Sequence, residues 1–169
     1  MMKIPICRYG IALGVLMMCT QVWAQNKVIF GRIEKVRVYP GGLLLHAKLD
    51  SGADHSSLNA PDLAVFERQG ERWIRFRLTD EHGKSLVMER KVQRMAKIKR
   101  NGLPSQSRYV VRLGICLGDI YKEVDVNLVD RSRYKYPILI GRSFMAGNVL
   151  IDPAVKYTAA PHCKDRSTP

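Results

Sequence analysis

Leu43-Leu44-Leu45-His46-Ala47-Lys48-Leu49-Asp50-Ser51-Gly52-Ala53-Asp54 is the stretch on which the reading of this chain turns. Aliphatic residues at Leu43, Leu44, Leu45 and Ala47 lead into a strand that stops on a carboxylate, followed by a hydroxyl, a glycine and a small residue. A carboxylate at the end of an apolar strand, in a tight polar turn, makes Asp50 the candidate catalytic group. The chain offers no second Asp-Ser/Thr-Gly.

Working outward, the N-terminal residues read as a leader. Lys3 and Arg8 form a basic start, Ile11 to Cys19 a short apolar run, and Val22-Trp23-Ala24 a small-residue cleavage site. The run is too short to span a bilayer, and nothing later is long enough, so no transmembrane segment is expected after cleavage. Met17 and Met18 before Cys19 argue against a lipid anchor. Residues 1–24 are thus expected to be a signal peptide, and residues 25–169 a single secreted, periplasmic domain with a polar C-terminal tail.

Removing 24 of the 169 residues leaves 145, enough for one core. Of the 28 basic residues two leave with the leader, and the remaining 26 against 15 acids give +11. Seven basic residues fall between Lys84 and Arg100, where Glu89 is the only acid. Such a run is either a solvated strand face or an attraction for an anionic partner: a cell-envelope surface, lipid headgroups or acidic peptides. No nucleic-acid module accompanies it, so no nucleic-acid partner is expected. Cys116 and Cys163 remain after cleavage. In an oxidising compartment they make a disulfide closing 47 residues, or, with Cys163 in a polar tail, two free thiols.

From Val28 onward the pattern is mostly alternation. Val28 to Val38 predicts a strand with an irregularity near Gly31, ended by Pro40-Gly41-Gly42, and Leu43 to Leu49 a second. Trp73 to Leu78 alternates and breaks at Asp80-Glu81-His82-Gly83. Leu86 to Ile98 gives one long basic strand or two short ones, Asn101-Gly102 a turn, and Tyr109 to Leu117 a strand. Gly118-Asp119 is a hairpin turn, from which Tyr121 to Val129 returns. Two short helices are expected: Pro61 to Arg68, with Asn59 as N-cap, and one turn over Arg142 to Ala146. The fold class is all-β, a small closed or nearly closed barrel.

A second element matches the Asp50 turn: Tyr136-Pro137-Ile138-Leu139-Ile140-Gly141-Arg142, whose glycine allows two backbones to approach closely. Leu49-Asp50-Ser51-Gly52-Ala53-Asp54 and Leu139-Ile140-Gly141-Arg142 resemble the two signatures of retroviral-type aspartic peptidases. The span from Ile29 to Asp152, with Trp73-Ile74-Arg75-Phe76 and Val129-Asp130-Arg131-Ser132, is similar to a bacterial retropepsin-like family often labelled ATP-dependent zinc proteases. The resemblance implies a retropepsin-like barrel, a homodimer and hydrolysis of peptide or protein substrates. Members are often encoded near ATP-grasp peptide ligases, which implies unusual peptides as substrates. This chain has Ser51 where Thr is commoner, and the hydroxyl is kept.

The sequence does not support the metal and ATP of that label. There is no His-Glu-x-x-His and no phosphate-binding loop, so no metal and no cofactor is expected. The best metal quartet available is His46, Asp50, Asp54 and His55, and strand-turn chemistry accounts for both aspartates without an ion. Two Asp50 carboxylates meeting across a two-fold axis would share one proton. The ionised one then activates a water against the peptide carbonyl while the protonated one donates to its oxygen. Ser51 holds the turn across the dimer, Gly52 admits substrate backbone, and Ala53 keeps the cleft open. Asp54 binds substrate donors or pairs with Arg142, and Ile140, Gly141 and Arg142 form the supporting loop. The hairpin at Asp80 to Lys84, with Gly83 at its tip, is a candidate flap or an ordinary solvent hairpin. Asp130-Arg131 reads as structural, a buried pair or a turn. The competing reading is a non-catalytic module on the same barrel, binding peptide or cell-wall material.

Overall fold

A computed structural model describes residues 26–100 and 102–164, with the side chains of Arg100 and Leu103 left aside. The expected leader over 1–24, Asn101 of the expected turn and the tail from 165 lie outside the described residues. In chain order the elements are β1 (Val28–Gly31), β2 (Ile33–Tyr39), β3 (Leu43–Leu49), β4 (Ser56–Asn59), β5 (Ala64–Arg68) and β6 (Glu71–Thr79). There follow β7 (Ser85–Arg100), β8 (Leu103–Leu117), β9 (Ile120–Val129), β10 (Ile138–Ile140), α1 (Arg142–Met145) and β11 (Val149–Asp152).

Strands β2, β3, β10, β4, β9 and β8 are hydrogen-bonded in that order, and β2 pairs again with β8, which closes the barrel. Alternation fills it: Leu43, Leu45, Ala47 and Leu49 of β3 point inward, as do Leu113, Ile115 and Leu117 of β8 and Ile138 and Ile140 of β10. The first half of β7 pairs with β6 and the second half with β8, so β7 carries the β5–β6–β7 meander out from the barrel wall. Ile74, Phe76 and Leu78 of that meander cover the barrel, while Trp73, Arg75 and Arg77 face away from it. No helix among the described residues is long and apolar enough to cross a membrane.

One expectation needs correction. The segment Pro61 to Arg68 is not helical: Ala64–Arg68 is a strand antiparallel to β6, with Phe66 opposite Trp73. The Asn59 carboxamide, the presumed helix cap, instead accepts the Arg131 N–H at 2.6 Å, and Gln69-Gly70 supplies the two positive-φ positions of a hairpin turn. The irregularity expected near Gly31 is a break at Arg32, where β1 leaves the barrel to pair in parallel with β11. One short helix, α1, is present at the expected position.

After β11 the chain runs back over the barrel as a strap. The Arg32 N–H donates to Val155 O at 3.1 Å and the Tyr157 N–H to Ile33 O at 2.8 Å. Fully buried Glu34 accepts from the Gly31 N–H at 2.7 Å, the Thr158 N–H at 2.9 Å, the Thr158 hydroxyl at 2.6 Å and the Ala159 N–H at 3.4 Å. These donors compensate the burial of a carboxylate that would otherwise be prohibitive. The strap ends where Cys163 is bonded to Cys116 of β8, with their Cα atoms 6.0 Å apart.

Candidate active site

Asp50 stands at the end of β3, where the chain leaves the sheet. Its N–H donates to Ile140 O at 2.9 Å, which fixes the backbone against β10, and its Oδ1 accepts the Gly52 N–H at 2.9 Å. The Lys48 ammonium stands 3.6 Å from Oδ2, leaving that oxygen on the outer face of the sheet. The Ala53 N–H closes the turn on Asp50 O at 3.3 Å.

The Ile140-Gly141-Arg142 loop clamps the turn from the other side. The Arg142 N–H donates to Ala53 O at 2.8 Å and the Ser143 N–H to Asp54 O at 2.9 Å. The Gly141 N–H donates to Ser56 Oγ at 3.2 Å. A Cβ on Gly141 would stand 2.6 Å from the His55 carbonyl carbon and 2.7 Å from its oxygen, so this approach requires glycine. The Arg142 guanidinium donates to Ser51 O at 2.8 Å and forms an ion pair with Asp54. Both side chains of that pair are largely exposed, so it orients the loop more than it stabilises the fold. Among the described residues the Ser51 hydroxyl has no partner within the chain.

The two histidines of the proposed metal quartet go elsewhere. His46 lies between the Tyr157 hydroxyl, 3.3 Å from Nδ1, and Glu81, 3.2 Å from Nε2. His55 faces Arg94, whose Nη2 is 3.4 Å from its Nε2. Among the described residues no three His, Cys, Asp or Glu side chains gather as metal donors. The contact of Glu81 with His46 also locates the Gly83 turn. It packs beside a β3 residue four positions before Asp50, about 13 Å along the strand. The hairpin that sends a side chain to the Asp50 turn is β7–β8, through Arg94.

Strand register places a row of side chains beside Asp50 on the outer face. Lys48 is opposite Leu139, Leu139 opposite Ser57, Ser57 opposite Asn127, Asn127 opposite Val110, and Val110 opposite Arg94. A bulge at Gln93, between the Val92 and Arg94 pairings, turns Arg94 toward His55 and Asp125, which also pairs with Arg112. Part of the basic run is therefore already paired: Lys91 with Glu71, Arg94 with Asp125.

Arg131 joins this face. Of the two structural readings of Asp130-Arg131, a buried pair or a turn, the structure shows the turn: Asp130 Oδ1 accepts the Ser132 N–H at 2.8 Å. The Arg131 side chain is buried, donating to Ser57 Oγ at 2.9 Å and Tyr136 O at 3.3 Å with the Tyr134 ring 4.7 Å away. Burial pushes its guanidinium below the ordinary value; Arg108 adds to this, while Tyr134 and Asp50 oppose it. Reading the sequence missed Arg94, Asn127 and the orientation of Arg131. Only the Asp130-x-Ser132 spacing carried a local signal.

Known proteins match this arrangement. The profile of the RimB-like family, described as retropepsin-like aspartic endopeptidase RimB, matches residues 29–162. A protein of Shewanella pealeana named "Probable alpha-L-glutamate ligase" is 33% identical over 139 residues, covering 79% of this chain and 30% of the relative. One of the same name from Parasynechococcus marenigrum is 33% identical over 132 residues, covering 76% and 28%. The chain thus spans about a third of the length of these curated relatives. A crystal structure of a Legionella pneumophila protein of unknown function superimposes with a TM-score of 0.68 at 34% identity, covering 79% of this chain and 98% of that one. The family model covers most of the chain, barrel and Asp50 turn included, and the chain belongs to the RimB-like family of retropepsin-like aspartic endopeptidases.

Proposed function

We propose that this protein is a secreted, periplasmic aspartic endopeptidase that works as a homodimer and cleaves acidic peptides. The observation that carries the reading is the Asp50 turn, a carboxylate fixed by the Ile140-Gly141-Arg142 loop with one oxygen on the outer face. The β1–β11 sheet supports dimerisation. It has only two strands, and it exposes Val28, Ile29 and Leu150. The concavity beside it is lined by Lys27, Ser51, Arg142, Met145, Val149 and Ile151, so a mixed polar and apolar surface runs up to the Asp50 turn. A two-fold axis there would bury that surface and bring the two turns together. The leader expected over 1–24 and the Cys116–Cys163 bond support an oxidising compartment. The +11 charge and the ligase name of the relatives support acidic peptides as substrates.

In this mechanism the two Asp50 carboxylates hold one proton between them. The ionised member takes a proton from water as the water oxygen bonds to the peptide carbonyl carbon, and the protonated member donates to the carbonyl oxygen. The tetrahedral intermediate collapses when the Asp50 that took the water's proton gives it to the amide nitrogen, the other Asp50 takes a proton from a hydroxyl of the intermediate, and the C–N bond breaks, leaving one proton on the pair.

The test is cleavage of a diverse peptide mixture, read by mass spectrometry, with wild type, Asp50→Asn and Ile29→Asp. Wild type yields new termini, Asp50→Asn folds and yields none, and Ile29→Asp sediments as a monomer without activity. Equal cleavage by Asp50→Asn would require another catalytic group. Absence of cleavage with retained peptide binding by wild type would favour the binding-module reading. Full activity in a demonstrated monomer would remove the two-carboxylate site.

A further inference from the structure

Arg131 is 9% exposed, and none of the ion pairs among the described residues includes it. Removing a guanidinium from water costs several kcal/mol unless charges or dipoles replace the lost solvation. Here the replacements are a serine hydroxyl, one carbonyl and an aromatic ring: Ser57, Tyr136 O and Tyr134. Nη1 and Nε are used in those bonds, and among the described residues no carboxylate lies within ion-pair distance of the guanidinium. Asp50 acts on it electrostatically from farther away. An orphaned acceptor lies beside it. Asn127, 4% exposed, is opposite Ser57 in the strand register, and its carboxamide oxygen has no hydrogen-bond partner, although its nitrogen donates to Ser56 O at 3.4 Å. Buried polar groups are almost always satisfied, so an orphaned carboxamide oxygen next to a largely buried guanidinium without an ion-pair partner marks a place on the Asp50 face where a ligand completes the bonding.

We propose that Arg131, with Ser57 and Asn127, forms a specificity subsite beside Asp50 in which the guanidinium binds a substrate carboxylate and the Asn127 carboxamide oxygen accepts a substrate backbone N–H. A carboxylate matches the planar fork of arginine, supplies the missing counter-charge, and is placed by the register a few strand spacings from the scissile bond. The carboxylate comes from an acidic side chain or from the C-terminus of a peptide. This inference rests on the peptidase reading for its location but not for its test, since binding can be measured without turnover.

The probes are fluorescein-labelled decapeptides carrying one Glu scanned through each position, the matching Gln peptides, and each of these with a free or an amidated C-terminus. Binding is measured by anisotropy on Asp50→Asn, and cleavage on wild type. We expect one position at which Glu is preferred over Gln by about ten- to a hundredfold, the discrimination of a hydrogen-bonded charge. Arg131→Gln removes that preference and leaves the Gln peptide within a few-fold, and Arg131→Lys restores part of it. A Glu preference that survives amidation assigns the side chain, and a free C-terminus preferred over the amide, with Glu and Gln bound alike, assigns the terminus. Glu and Gln bound alike at every position, with free and amidated termini also bound alike, overturns the subsite without any appeal to a variant. So does a uniform preference at all positions that vanishes in salt, or a preference kept by folded Arg131→Gln. If binding discriminates and nothing is cleaved, the peptidase reading fails and the subsite stands.

Discussion

Replacing Gly141 by alanine adds one methyl group at the point where the supporting loop meets the Asp50 turn, and the surroundings set its cost. That methyl would lie 2.6 Å from the His55 carbonyl carbon, 2.7 Å from its oxygen and 3.0 Å from Ala53 O. All three obstacles are backbone, so no side chain can rotate away. Relief requires the 53–56 segment to withdraw, against the Arg142 N–H bond to Ala53 O, the Ser143 N–H bond to Asp54 O and the Gly141 N–H bond to Ser56 Oγ. Overpacking alone costs about 1–3 kcal/mol, and each weakened hydrogen bond adds about 1 kcal/mol. The expected total is about 4–6 kcal/mol, a drop of about 2.7–4 M in the urea midpoint for a slope near 1.5 kcal/mol/M.

Gly52→Ala is the companion variant. Its methyl would meet only Asp50 Oδ1, at 3.1 Å, the free end of a side chain. Stability should change by less than about 1 kcal/mol. The displaced carboxylate loses its bond from the Gly52 N–H, so turnover should fall at least about tenfold. Far-UV circular dichroism in urea and initial cleavage rates on the same preparations read both effects. A Gly141→Ala midpoint within about 0.3 M of wild type would refute the close approach that holds the turn in place.

Replacing both Cys116 and Cys163 by alanine should cost about 4 kcal/mol from the 47-residue closure, seen as a lower urea midpoint that no longer responds to reductant. Glu34→Gln replaces an acceptor-only group with one that presents an amide donor to the donors of Gly31, Thr158 and Ala159. It should destabilise the fold by about 2–3 kcal/mol and open a tryptic cut after Lys156, read by mass spectrometry under native conditions. Hydrogen bonds from Arg75 and Arg68 hold the Glu89 carboxyl below the ordinary carboxylate value. A depressed folded value means the contribution is present above the unfolded value and is lost as pH falls through the folded one. Melting temperatures of Glu89→Gln at low salt should therefore vary less over the acid limb than those of wild type.

The barrel was legible where one residue in two is buried. The Leu43–Leu49 strand, the Trp73–Leu78 alternation and the Gly118-Asp119 hairpin turn are local patterns, and each lies where the pattern puts it. Strand β4 had no such signal, since Ser56-Ser57-Leu58-Asn59 owes its conformation to neighbours supplied by residues 126–129 and 138–139. The false helix at Pro61 came from a true local signal that a distant partner cancelled: the Asn59 side chain is taken by the Arg131 backbone, 72 residues on. The candidate site divides along the same line. Asp50 and Gly141 were readable because a turn and a close backbone approach demand particular residue types within a few positions. Arg131, Asn127 and Arg94 were not, because nothing about an arginine after a strand says whether its guanidinium reaches water or lies under a tyrosine ring. Only the closed barrel, which sets β4, β9 and β10 side by side, makes Ser57, Asn127 and Arg131 neighbours. It thereby gives the face beside Asp50 a charge that no carboxylate among the described residues neutralises by direct contact.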